Sequence, residues 1–201
     1  MKVVLAEPTV RTAWERGIEG YRLDFPRITP EEKRAVDWMR FPPIAPIYLE
    51  QVREIEDLPP TADAFETAVF LRTNMARTPA VCWRLRANFY PSFVAQHHLT
   101  LILLERFRHV TWNAREDLHG VDIHLAYRGL ALGIASATDS DKSRRWQVVK
   151  EGRNPASGDV WIINLYRRPY EYTVGPFWLH HPDRVEDEIK AAVDRIAGGA
   201  L

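Results

Sequence analysis

The residue with the most evident chemistry is Asp122, inside the stretch Asp117 to Lys142, DLHGVDIHLAYRGLALGIASATDSDK. Val121, Ile123 and Leu125 flank it, and if they form a strand, alternation turns Asp122 away from them onto the opposite face. A carboxylate held there could contribute to a divalent-metal site. The plain alternative is a polar residue on the exposed face of a sheet.

His119, Asp122 and His124 spell H-x-x-D-x-H, and Asp122 and His124 would share a strand face, which permits a His/Asp transition-metal site. No third ligand follows at a fixed spacing. The neighbouring residues of the pairs His97-His98 and His180-His181 point in different directions on a helix or strand, so they read as surface and hydrogen-bonded histidines.

A second constellation is Thr138-Asp139-Ser140-Asp141-Lys142-Ser143-Arg144-Arg145. Hydroxyls and acids gather at a helix entrance, and three cations follow in its first turns. A helix start with exposed N–H groups can receive a phosphate, and Lys142, Arg144 and Arg145 would add charge-assisted contacts. Lys150, Arg153, Arg167 and Arg168 extend this local basic character, which is the clearest hint of nucleic acid. The plain alternative is a capped, solvated helix. There is no G-x-S-x-G, no glycine-rich phosphate loop and no H-E-x-x-H, so a serine hydrolase, a P-loop enzyme and a standard zinc protease are without support.

Bulk composition sets the frame for these groups. A chain of 201 residues, 46% apolar with seven tryptophans, is sized for one domain with a real core. Lys plus Arg equals Asp plus Glu at 27 each, so net charge implies neither nucleic acid nor membrane. Most of the cations are arginines, which fork onto phosphates and carboxylates but also accumulate through compositional bias. Cys82 is alone, which excludes an intrachain disulfide and a cysteine zinc cluster, and its apolar neighbours suggest a buried thiol. The first residues hold too short an apolar run for a signal peptide, and no stretch reaches transmembrane length. The expectation is a soluble, cytoplasmic protein.

Several elements can be read in order. Thr9 to Gly20 suits a helix, and Val3 to Leu5 a short strand. Thr29-Pro30-Glu31-Glu32 is a capped helix start. Phe41 to Pro46 should be extended because of its prolines, and Thr61 opens another helix. Ala80 to Phe89 alternates Val81, Trp83 and Leu85 with Cys82, Arg84 and Arg86, which suits a strand, although a helix is the alternative. A strong helix starts near Pro91. Strands are then expected at His109 to Ala114, Gly120 to Tyr127, Leu130 to Ala137 and Val160 to Tyr166, with Phe177 to Leu179 a further candidate. Ser140 to Lys150 reads as helical, and a last amphipathic helix begins at Pro182 and ends at Gly198-Gly199.

From Ser92 to Tyr166 the order helix, strand, strand, strand, helix, strand resembles the core of the restriction-endonuclease-like, or PD-(D/E)XK, nuclease superfamily. The likeness is closest to its Mrr-type pattern in LILLERFRHVTWNAREDLHGVDIHLAYRGLALGIASAT. The resemblance implies an α/β (α+β) fold, a central mixed sheet flanked by helices. Residues 1–60 would be an elaboration packed on a core of residues 61–201. It also implies DNA as partner and Mg²⁺ as cofactor, the metal lowering the pKa of an attacking water and offsetting charge on the phosphate. Asp122 matches the first acid. The next strand departs from the pattern, because Ala131, Gly133, Ala135 and Ala137 stand where an acid and a lysine belong. Asp139, Asp141 or Lys142 beyond the strand would have to replace them, or Glu105 on the preceding helix, a position some members use.

The expected catalytic set is therefore Asp122, Lys142 and Asp139, with Asp122 and Glu105 on the metal and Arg144, Arg145 and Lys150 on nucleic acid. The alternative is a non-catalytic module that keeps the fold and binds DNA, a protein partner or a second copy of itself.

Overall fold

The computed structural model describes residues 9–54, 58–112, 123–140, 144–145 and 160–199. The chain enters through short helices whose starts are set locally. Helix α1, Val10–Ile18, is capped by the Thr9 side chain, which accepts from the Thr12 N–H. Helix α2, Pro30–Trp38, begins with a full capping box between Thr29 and Glu32. Helix α3, Ala45–Glu54, takes Pro46 into its first turn, so the extended run expected to reach Pro46 stops at Ile44. Proline is tolerated there because a first-turn N–H has no intrahelical partner to lose. Helix α4, Ala62–Arg72, is capped by Thr61.

Ala80 to Phe89 is helical. Helix α5, Pro79–Arg84, is capped by Thr78 and runs into a π-helical turn, Leu85–Phe89, and then into α6, Tyr90–Arg106. Val81 and Leu85 lie four residues apart and are buried together, while Arg84 and Arg86 turn to carboxylates of α2 and α4. Arg84 bonds Asp37 and Arg86 bonds Glu66, each at 2.5 Å. The wide turn, in which the Tyr90 N–H reaches the Leu85 carbonyl, falls just ahead of Pro91, whose ring would crowd a regular ladder.

The sheet consists of β1, Val110–Trp112, β2, Ile123–Tyr127, β3, Leu130–Thr138, and β4, Val160–Arg167, in that spatial order. β1, β2 and β3 are antiparallel neighbours, and β4 lies parallel to β3. Arg128 and Gly129 both have positive φ, +49° and +76°, the geometry of a two-residue hairpin whose twist suits its strands. A small hairpin, β5 (Thr173–Val174) with β6 (Phe177–Trp178), precedes the last helix, α7, Pro182–Gly199. The result is an α/β fold with a four-stranded mixed sheet.

Side-chain alternation divides the sheet into two faces. Ile123, Leu125, Leu132, Ile134, Ile163 and Leu165 pack with Leu99, Ile102 and Leu103 of α6 and Val185, Ile189 and Val193 of α7. His124, Gly133, Ala135, Ala137, Ile162, Asn164 and Tyr166 alternate with them onto the other face. A second apolar cluster joins Trp14, Ile18, Val36, Tyr48 and Phe65 to Leu85, Tyr90, Phe93, Val94, Phe177 and Leu179. Helix α6 belongs to both, its first half to the helical cluster and its second half to the sheet. That explains why it is buried nearly all round from Phe93 to Thr100.

Candidate functional site

Because β3 and β4 are parallel, their carboxyl ends finish at one edge, the side of a parallel pair on which α/β proteins commonly place ligands. The Asp139 N–H donates to the Arg167 carbonyl at 2.7 Å. Arg167, only 8% exposed, sends Nη2 to Thr138 Oγ1 at 3.4 Å and Nη1 to the Trp178 carbonyl at 3.3 Å. One buried guanidinium thus joins the end of β3, the end of β4 and the β5–β6 hairpin.

Around this joint lie exposed cations. Arg144 and Arg145 are helical and exposed. Arg144 donates to Asp139 Oδ1 from Nε at 2.9 Å and Nη2 at 2.7 Å, and lies 5.2 Å from the centre of the Tyr166 ring. Arg168 sits 3.7 Å from Glu171. Between positions 139 and 171 the described residues carry four arginines (144, 145, 167 and 168) against two acids (139 and 171), an excess of two positive charges.

The candidate residues from sequence reach different places. Asp139 is engaged by Arg144. Glu105 accepts from Arg11 Nε at 2.9 Å, and Arg11 and Thr9 offset the effect of its partial burial and hold its carboxyl below the ordinary range. These two carboxylates therefore face separate partners and are not brought together. Asp122, Lys142 and Lys150 lie outside the described residues, as do His119, Asp141 and Arg153. Magnesium needs several oxygen ligands around one point. Among the described residues no group of three His, Cys, Asp or Glu side chains could hold a metal ion.

A polar cluster that sequence reasoning missed joins α1, α6 and the segment before β5. Glu15 accepts from His98 Nε2 at 2.7 Å, Arg11 Nη1 at 2.7 Å and Tyr172 OH at 2.9 Å. Burial alone would raise the Glu15 pKa, but these three donors overcome it and draw it down to about 2. Burial, and then Glu15, hold the Tyr172 phenol up at about 12.

Both partners' pKa values are lowered, whereas a charged pair would raise that of the imidazole. Glu15 is stabilised as if by a donor, while burial pushes His98 below its ordinary value despite Glu15 beside it. A neutral ring with its hydrogen on Nε2 satisfies both, since it donates without carrying charge. His97 is also buried, its pKa pushed down to about 3 by desolvation and by His98, and it packs against Trp14, Tyr48 and Trp112. His180 bonds Ser136 Oγ at 2.8 Å and is held far below its ordinary pKa by burial and then by Arg167. His180 is only 1% exposed, while Ser136 is half-buried.

The histidines expected at the surface are thus interior groups, His97, His98 and His180 at 5%, 0% and 1% exposure. The visible clue was Arg11 and Glu15 at i,i+4 spacing on α1, but nothing local linked them to His98. Cys82 is half-buried, and burial and then Glu66 raise its thiol pKa, as befits an unreactive thiol.

A groove of about 510 Å³ lies between β4 and α7, lined by Trp161, Asn164 and Arg195 among others, and none of Glu105, Asp139, Arg144 or Arg145 lines it. Among the described residues no helix is long and apolar enough to cross a membrane. Comparison of the chain with family models, curated proteins and solved structures finds no match.

Proposed function

We propose that this chain binds nucleic acid at the carboxyl ends of β3 and β4. The observation that carries the reading is the gathering of Arg144, Arg145 and Arg168 at that edge, in a span with two excess positive charges within a chain of zero net charge. Arginine offers phosphate a planar fork of donors. A cytoplasmic setting goes with this reading, and the single half-buried cysteine is compatible with a reducing compartment.

The order of elements favours a second reading, a Mg²⁺-dependent DNA endonuclease. Helix α6, the antiparallel β1, β2 and β3 and the parallel β4 agree with part of the order on which the nuclease resemblance rests, while the matching acid Asp122 and most of the helix expected between β3 and β4 lie outside the described residues. The engagement of Asp139 and Glu105 by arginines counts against it and supports a binding protein that keeps the architecture without the chemistry.

Two measurements separate these readings. Anisotropy of a labelled DNA at low salt tests binding, because phosphate contacts are strongest there and weaken steeply as salt rises. Plasmid nicking with Mg²⁺ or Mn²⁺, for the native protein and Asp122→Ala, tests cleavage. Binding without nicking supports the first reading, and nicking abolished by Asp122→Ala supports the second. No binding at low salt overturns both.

A further inference from the structure

The edge that carries the arginines also carries an exposed aromatic pair. Tyr170 is 79% exposed and Trp178 38% exposed, and their rings lie 4.8 Å apart at 59°. Tyr170 has φ +62°, a left-handed conformation that is unfavourable for a bulky residue and that persists only where the surroundings hold it.

The surroundings here do so. The Glu171 N–H bonds the Arg168 carbonyl, the Leu179 N–H bonds the Tyr172 carbonyl, and Arg167 clamps the Trp178 carbonyl. Arg184 holds Glu171 at 2.8 Å and donates to the Tyr166 carbonyl at 2.6 Å. A strained backbone therefore presents a phenol ring to solvent, braced on an indole and one residue beyond Arg168 and Pro169.

We infer that Tyr170 and Trp178 form a stacking platform for the unpaired bases of single-stranded nucleic acid, with Arg144, Arg145 and Arg168 taking the adjacent phosphates. This rests on the nucleic-acid reading above and narrows its substrate class. An exposed ring offers its face to any base, whereas in a duplex both faces of each base are already stacked. The choice of a nucleic acid over a protein partner follows from charge: the rings are flanked by a local excess of cations, and a polyanion with aromatic faces complements both features at once.

The test is anisotropy of a fluorescein-labelled oligothymidine and of a labelled duplex at low salt, with sedimentation of the protein alone. The native protein should bind oligothymidine more tightly than duplex. Tyr170→Ala should weaken oligothymidine binding about tenfold, within the range found for loss of one stacking ring, and leave duplex binding unchanged. Tyr170→Phe, which keeps the ring, should bind as the native protein does, so a loss in that variant overturns the stacking role. Trp178→Phe should retain most of the affinity.

Equal binding of oligothymidine by Tyr170→Ala and the native protein, with duplex binding intact, overturns the platform but not nucleic-acid binding. Absence of binding to either probe overturns both. A dimer in the native protein that Tyr170→Ala converts to monomer assigns the rings to self-association and overturns the platform.

Discussion

His98 Nε2 donates to the Glu15 carboxylate at 2.7 Å across 83 positions of chain. This bond ties the first described helix to the middle of α6, and Arg11 and Tyr172 complete the same carboxylate. Removing the carboxylate would leave a buried imidazole without its acceptor and Arg11 with Glu105 as its remaining carboxylate. Glu15→Ala should therefore destabilise the fold by about 1–3 kcal/mol, read as a lower urea midpoint. Glu15→Gln keeps one acceptor oxygen and should lose less. Equal midpoints for native and Ala proteins would show that the cluster does not stabilise the fold.

The buried histidines give stability a definite pH dependence. His97, His98 and His180 have folded pKa values below the ordinary 6.5, so the unfolded chain binds protons that the native state refuses. Their contribution is complete above pH 6.5 and is lost as pH falls toward the folded values. A ring that is charged in the unfolded chain and neutral in the native state contributes a slope of up to about 1.4 kcal/mol per pH unit. Glu15, drawn down to about 2, adds a separate loss that begins only below 4.5. Urea midpoints measured from pH 7 to 5 should fall, and His97→Gln should make the fall shallower. A flat profile across that range would contradict neutral burial.

Two tyrosines in one cluster should respond oppositely to loss of the hydroxyl. Tyr90 OH donates to the Pro60 carbonyl at 2.5 Å, so Tyr90→Phe should cost about 1 kcal/mol. Tyr48 is fully buried, and its hydroxyl meets no hydrogen-bond partner among the described residues. Tyr48→Phe removes an unpaid desolvation and should be neutral or stabilising by about 1 kcal/mol. Thermal melts of both variants check the contrast.

Gly175 sits at φ +53°, and a Cβ there would meet the carbonyl oxygens of Ile18 and Glu19 at 2.8 Å. Neither is the end of a flexible side chain, so Gly175→Ala must displace the β5–β6 hairpin from the end of α1. A loss of about 1–3 kcal/mol is expected for such strain, with faster amide exchange in the hairpin than in the sheet.

Asp139 pairs with Arg144, so Asp139→Asn should remove a negative charge from the proposed nucleic-acid edge. DNA affinity at low salt should rise, and the slope of log K against log salt should steepen by up to about 0.9, the value for one added phosphate contact on duplex DNA. If Asp139 instead takes part in cleavage, the same variant abolishes plasmid nicking.

What could be read from residues alone was decided by near neighbours. Thr9, Thr29 and Thr61 cap their helices because capping needs only the next few N–H groups. Arg128-Gly129 makes the hairpin because the turn demands positive φ. The alternation of Leu130 to Ala137 correctly separated an apolar face bearing Leu132 and Ile134 from a face of Gly133, Ala135 and Ala137.

Tertiary structure decided the rest. The alternation in Ala80 to Phe89 fits a strand equally well until Asp37 and Glu66, 47 and 20 positions away, receive Arg84 and Arg86 and make a helix the better solution. Burial of His97, His98 and His180 was likewise invisible, because a histidine's environment is set by whatever packs over it. The candidate site divides the same way. Sequence marked Asp139, Arg144 and Arg145 as one run, but only the parallel pairing of β3 with β4 brings Arg167, Arg168 and the Tyr170–Trp178 rings to that edge. Local hydrogen bonding is encoded within a turn of chain, whereas the company a side chain keeps across the sheet depends on every strand between.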